Sequence, residues 1–241
     1  NTKIGTGSNV LDWLLEGGYE KEVITTIYGP AGSGKTNLCL LCAASFSKKK
    51  VIYIDTEGSF SLSRFRQITS NVTTALDNII FLKPTTFSEQ KKSFEKLKTL
   101  VNEKVGIIIV DSIAMLYRLE MGQTKNIYDV NRQLGMQLSY LTEIARKNSI
   151  PVLLTNQVYQ DFDNKEKVNI VGGDLLKYQS KCLIELQKND DGTRTALVRK
   201  HRSIEDDKNI QFRITDLGIQ EVKEDNQENK KQNREEKKEK A

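Results

Sequence analysis

The stretch Gly29-Pro30-Ala31-Gly32-Ser33-Gly34-Lys35-Thr36, GPAGSGKT, follows the apolar run Val23–Tyr28 and opens the helix-patterned segment Lys35–Ser47. Its spacing is G-x-x-x-x-G-K-T at a strand-to-helix junction, the context in which such a loop cradles phosphates. Glycines let the backbone wrap a phosphate chain without Cβ clashes, while amide N–H groups and the helix dipole supply positive field. Lys35 is expected to reach the β- and γ-phosphates, and Thr36 to offer its hydroxyl to Mg²⁺. Gly29 to Thr36, with Asn37 beside them, therefore form the expected nucleotide site, and ATP and Mg the expected cofactors. The loop alone leaves the use of that nucleotide open.

A metal bound beside phosphates needs a carboxylate at the end of a buried strand. VGIIIVDS supplies Asp111, expected to hold the metal through water; the alternative role for such an acid is a helix N-cap. Glu57, in VIYIDTEGSF just past the run Val51–Asp55, is placed where C-terminal strand ends gather ligands and is the candidate for orienting the attacking water. Asp55 competes for that role.

Short β-branched runs alternate with longer helical patterns, which predicts a mostly parallel sheet flanked by helices. Strands are expected at Val23–Tyr28, Val51–Asp55, Ile79–Lys83, Ile107–Asp111 and Val152–Asn156. Helices are expected at Lys35–Ser47, Leu62–Ser70, Phe87–Glu103 and Val130–Asn148. After Lys181 the runs CLIELQK, TALVRK and IQFRIT, separated by NDDG and EDDKN, predict antiparallel strands added at one edge, with a hairpin turn at Asp190-Asp191-Gly192.

At 241 residues and 37% hydrophobic, the chain can bury one substantial α/β core. A single domain is expected over 1–220. The remainder, 221–241, carries seven Lys/Arg and seven Asp/Glu and almost nothing apolar, so it is expected to be a disordered charged tail. The net charge of +5 therefore belongs to the domain, a mild basicity compatible with nucleic acid. No apolar run approaches the ~20 residues of a membrane span, and the opening NTKIGTGSNV has neither a signal pattern nor an initiator Met, which suggests a trimmed start. Three cysteines fit a reducing, cytoplasmic setting. Cys39 and Cys42 form a C-x-x-C, but lie in the apolar stretch LCLLCAASF with no second ligand pair, so packing is the expected role.

KIGTGSNVLDWLLEGG, GPAGSGKT, YIDTEGSF, VDSI and LLTNQV, in that order, resemble the ATPase core of the RecA/RadA recombinases over about residues 3–220. Within that superfamily the resemblance is strongest to the archaeal RadB paralogues. It implies a RecA-like P-loop ATPase core in which Glu57 matches the catalytic glutamate. Asn156 and Gln157 match the strand end whose glutamine senses the γ-phosphate. Arg64, in SLSRF, falls where RadA-type proteins stack an arginine on adenine, although Ser61 and Ser63 replace an arginine and a glutamate of that pattern. Lys200, His201 and Arg202 match a Lys-His-Arg element of RadB-type proteins; a related Lys-x-Arg in KaiC-like ATPases reaches a neighbouring subunit's γ-phosphate. Carried over, Lys200 and Arg202 would act in trans, or contact DNA phosphates instead.

Two loops face DNA in such cores. Here they are expected in RLEMGQTKNIYDVNRQ, with Arg118, Lys125 and Arg132, and in VYQDFDNKEKVNIVGGDLLKYQSK, with Lys165, Lys167, Lys177 and Lys181. Tyr159, Phe162 and Tyr178 are interleaved, and cations with aromatic faces suit unpaired bases. Arg199 and His201 are added as phosphate contacts from the densest basic cluster, VRKHRS. The resemblance implies an ATP- and DNA-binding accessory of homologous recombination and repair with weak ATP hydrolysis. Its implied partners are single-stranded or branched DNA and a RadA-type recombinase or junction-resolving nuclease, with weak self-association. The sequence opens at the core, and the chain is expected to lack the helical domain and F-x-x-A latch of RadA. The alternative is a KaiC-like signalling ATPase, against which stands the single Glu in DTEG.

Overall fold

The computed structural model describes residues 2–160 and 168–222. Lys3–Ile4 (β1) pairs with Tyr19–Glu20 (β2) around Asn9–Leu14 (α1), a small antiparallel annex. The main chain path then runs Ile24–Gly29 (β3), Lys35–Ser45 (α2), Lys50–Asp55 (β4), Leu62–Ile68 (α3), Val72–Asp77 (α4) and Ile79–Leu82 (β5). Phe87–Leu100 (α5), Val105–Asp111 (β6), Met115–Gln123 (α6), Ile127–Asn148 (α7) and Val152–Gln160 (β7) follow. Val168–Ile170 (β8), Gly173–Gln179 (α8), Ser180–Lys188 (β9), Arg194–Lys200 (β10), Asn209–Thr215 (β11) and Gly218–Glu221 (β12) complete it.

One sheet carries the order β12-β11-β10-β9-β3-β7-β6-β4-β5, with β8 added to β7. From β9 to β5 every pairing is parallel, so the C-terminal ends of six strands gather at one edge; β10, β11 and β12 extend the sheet antiparallel. Crossover helices cover both faces, which is why β3 and β6 are buried along their whole length and β6 reads as a near-continuous apolar run up to Asp111. One apolar layer joins α1, α2, α3 and α4 to the sheet. The other joins α5, α6, α7 and α8.

The longest helix shows why these residues fold locally as they do. Asn126 caps α7 by accepting from the Asp129 N–H. Val130, Leu134, Leu138, Leu141 and Ala145 then recur at helical spacing and face the core. The helix stops at Ser149 in the left-handed conformation, two residues before Pro151.

Two expected loops prove largely regular. Residues 118–133 are the end of α6 and the start of α7, joined through Thr124, Lys125 and Asn126. Their helical period is hidden because Leu119, Ile127 and Tyr128 are exposed, and Ala114 gives α6 no side-chain cap. Within 158–181, β7 runs on to Gln160, β8 folds back on it and α8 follows. That helix starts from Gly172 without a side-chain cap, so no cap residue announces it. Lys165, Lys167 and Phe162 lie outside the described residues, as does the expected tail from 223; its first residue, Glu221, ends β12.

Cys39, Cys42 and Cys182 are free and buried, and burial pushes the Cys182 thiol up to about 12 and the other two higher still. The C-x-x-C is packing, as its apolar setting predicted. A thiol reagent such as Ellman's should therefore leave the native protein essentially unlabelled at pH 8 and titrate all three cysteines after denaturation. Leu138 is fully buried between α7 and the sheet, so Leu138→Ala should lower unfolding free energy by about 2–5 kcal/mol in urea titration.

Candidate functional site

The phosphate-loop segment leaves β3 at Gly29 and enters α2 at Lys35. A Cβ at Gly29 would lie 2.5 Å from the Leu186 carbonyl oxygen and 2.8 Å from Ser33 Oγ, so the turn admits only glycine there. Gly34 caps α2 with φ +107°, a conformation that disfavours side chains. Lys35 is buried, and its ammonium donates to the carbonyls of Gly29 and Pro30, both at 2.9 Å. An ammonium has three donors, so one remains for a ligand. Burial holds its pKa below the usual lysine range, while the Glu57 and Asp111 carboxylates pull it back up.

Asp111, at the end of β6, is the hub of the site. Its Oδ2 accepts from Thr36 Oγ1 at 2.8 Å, Ser59 Oγ at 3.0 Å and Tyr53 OH at 3.2 Å, and its Oδ1 from Thr155 Oγ1 at 2.5 Å. The sequence reading paired Thr36 with Asp111, and the fold brings them into contact. It did not name Tyr53, Ser59 or Thr155, whose convergence depends on β4 and β7 flanking β6. Glu57 stands next to this hub, with Oε1 accepting from Ser112 Oγ at 2.7 Å and from Gln157 Nε2 at 3.4 Å. Asp55 accepts from the Ser59 and Phe60 N–H groups in the segment that follows β4.

Two polar atoms of the loop region, Ser33 Oγ and Asn37 Nδ2, are buried without a partner. Buried polar groups of this kind call for a ligand or water. Together with the one remaining donor of Lys35 and the hydroxyl–carboxylate pair of Thr36 and Asp111, they fit a nucleotide phosphate chain and a hydrated Mg²⁺. Among the described residues no cluster of three or more His, Cys, Asp or Glu could cage a metal.

Arg64, on α3, donates from Nε to Asn37 Oδ1 at 2.8 Å and from its outer nitrogens to the Gln67 side chain and the carbonyls of Asp216 and Gly218. Its edges are occupied; only its planar face remains for stacking. Beside Glu57, α6 and β7 bound a cavity of about 500 Å³ lined by Ser112, Met115, Arg118, Leu119, Asn156 and Gln157. Arg118 lines this cavity, and Arg118, Lys125 and, on α8, Lys177 are exposed.

Three of the expected cationic contacts have partners within the chain. Arg132 lies on α7, paired with Asp129 at 2.8 Å, in a groove against α5 rather than in the cavity with Gln157. Arg199 is locked between Glu185, at 2.6 Å, and Asp207. The His201 side chain is 1% exposed and faces Glu20 across 3.8 Å. Lys200 and Arg202 lie far from their own phosphate loop. Lys200 pairs with Leu183, five residues back along β9 from Lys188, which at about 3.3 Å per residue is some ~17 Å from the loop's edge. Its ammonium donates to the Lys177 carbonyl at 2.7 Å, while Arg202 pairs with Glu20 and is 64% exposed.

A glycine-rich loop at the switch from strand to helix, a hydroxyl–carboxylate metal pair and a glutamate at the next strand end define a RecA-like P-loop core. A match to the Rad51 family spans residues 2–222. The DNA repair and recombination protein RadB of Methanobrevibacter smithii is 40% identical over 228 residues, covering 91% of this chain and 96% of that protein. Its counterpart in Methanococcus maripaludis is 43% identical, covering 88% and 97%. The crystal structure of a RadB recombinase superposes with a TM-score of 0.78 at 37% identity, over 91% of this chain and 99% of that one. The chain belongs to the Rad51 family and, within it, to the RadB proteins.

Burial lowers the His201 pKa below 6.5, with the Glu20 carboxylate opposing, so the ring is neutral near pH 7. A histidine that binds its proton more weakly folded than unfolded makes the protein less stable as pH falls through about 6.5. Urea midpoints should therefore drop between pH 7 and pH 5.5, and His201→Asn should show a smaller drop.

Proposed function

We propose that this protein is an ATP- and DNA-binding accessory of homologous recombination and repair, with slow ATP hydrolysis. The observation that carries the reading is the convergence of Lys35, Thr36, Asp111, Glu57 and Gln157 at one strand edge. The RadB relatives are DNA repair and recombination proteins, which supports the pathway. The phosphate chain is held by the loop of Gly29 to Thr36, with Lys35 turning its free donor toward it. Thr36 and, through water, Asp111 would hold Mg²⁺, which neutralises charge on the β- and γ-phosphates. Glu57 accepts the proton of the attacking water, kept in orientation by Ser112. Gln157 contacts Glu57 on one side and lines the cavity of Arg118 on the other, so occupation of that cavity by DNA shifts the catalytic carboxylate.

Slow turnover follows from the position of Lys200 and Arg202. They cannot reach their own nucleotide and act, if on phosphate, only on a neighbouring copy; an isolated copy lacks their charge. The exposed cations Arg118, Lys125 and Lys177 are the proposed contacts to single-stranded or branched DNA, with a RadA-type recombinase as protein partner. Lys35→Ala should abolish nucleotide binding. Glu57→Gln should keep binding but cut hydrolysis by about 10²–10⁴-fold, measured by phosphate release. Arg118→Ala should weaken single-strand binding in fluorescence anisotropy and flatten its salt dependence. Wild-type turnover as fast for dilute protein without DNA as for concentrated protein with it would overturn the reading.

A further inference from the structure

The edge of the sheet beside the phosphate loop carries two cations that neither the motif nor the family pattern quoted above includes. Because β9 runs parallel to β3, its C-terminal end lies level with the loop: the Leu186 carbonyl approaches Gly29. Lys188 ends β9 and Arg194 begins β10, and the two stand directly opposite in the antiparallel register. Arg194 donates from Nη2 to the Gly32 carbonyl at 3.2 Å, a bond between residues 162 apart in sequence. Its Nη1 donates to the Gly192 carbonyl at 2.5 Å, and its Nε is buried without a partner. The Lys188 ammonium lies 3.7 Å from where a Cβ on Gly32 would be.

Like charges directly opposite on paired strands repel. Among the described residues, neither cation has a carboxylate partner. The turn between them is fixed independently. Asn189 holds Thr193 and Thr195, and Asp191 Oδ1 accepts from the Thr193 N–H and hydroxyl, so that carboxylate is engaged inside the turn. A stiff hairpin therefore holds two uncompensated positive charges against the flank of a loop shaped for phosphates. The arrangement is repulsive when the loop is empty and favourable when an anion fills it.

We propose that Lys188 and Arg194 form a cationic brace for the phosphate loop: Arg194 is a positioning residue that fixes the loop through the Gly32 carbonyl. Both charges raise affinity for the polyphosphate of a nucleotide bound by the same chain. The inference rests on the nucleotide-binding reading and assigns a task to the β9–β10 hairpin. It separates two sets of cations on one strand pair: Arg194 at the loop end serves its own nucleotide, Lys200 at the far end cannot.

The test is isothermal titration of MgADP into wild type, Lys35→Ala, Arg194→Gln, Arg194→Lys and Lys188→Gln at low and moderate salt. Arg194→Gln is expected to weaken binding about tenfold and Lys188→Gln about threefold, each with a shallower salt dependence than wild type. Arg194→Lys, which keeps the charge and one donor, should recover most of the loss. A hairpin needed only for folding would give no rescue by lysine and an unchanged salt slope, and that result overturns the proposal. So does binding within twofold of wild type in both glutamine variants. Should Arg194→Gln fail to fold by circular dichroism, the exposed Lys188 decides alone through Lys188→Gln. Wild-type binding that Lys35→Ala does not abolish would instead remove the nucleotide reading and the brace with it.

Discussion

The Asp111 carboxylate is the constraint on which the rest of the site depends. It is buried at the end of a strand that is itself buried throughout, where an unpaired charge would cost several kcal/mol. The fold meets that cost with four hydroxyls from four places: Thr36 at the start of α2, Tyr53 in β4, Ser59 in the turn after β4 and Thr155 in β7. Each hydroxyl registers its own element against β6. The strand order β7-β6-β4 and the entry of α2 are thus tied to one side chain. With that hub in place, Glu57 and Gln157 meet at the same edge.

The antiparallel strands give the molecule two chemically different ends. β10 begins at the phosphate loop with Arg194 and finishes beside α8 with Lys200. Between them, Arg199 is paired with Glu185, which also accepts a long hydrogen bond of 3.4 Å from the buried Tyr28 hydroxyl. Burial and the Glu185 charge push that phenol well above its ordinary range. This network sits directly beneath the loop, since Tyr28 is the residue before Gly29. It ties the strand that carries the loop to β9 and β10. Local charge density in VRKHRS therefore misleads: Arg199 is paired with Glu185 and Asp207, His201 is buried against Glu20, Arg202 is paired with Glu20, and Lys200 donates to the Lys177 carbonyl at the end remote from the nucleotide.

Within a single sequence, apolar runs of parallel strands and the phosphate-loop spacing are local features, and they were legible. Lys35, Thr36 and Asp111 follow from strand-end and helix-start chemistry, and the alternation of runs gave a parallel sheet with antiparallel strands at one edge. The helices α6 and α8 were not legible, because one has exposed apolar residues across its junction with α7 and both lack a side-chain cap. Nor was the burial of His201, since nothing local shows that Glu20, from a distant hairpin, lies against it.

By itself the sequence determined that this chain builds a phosphate loop on a parallel sheet, because a glycine pattern and a strand-to-helix switch act within a few residues. Only the tertiary structure decided which cations belong to that loop. Lys188 and Arg194 reach it because β9 lies parallel beside β3, whereas Lys200 and Arg202 are carried away by the reversal of β10. The physical reason is that strand order and direction, set by long-range packing, fix the end of the sheet to which a charge is delivered, and no local spacing encodes that choice.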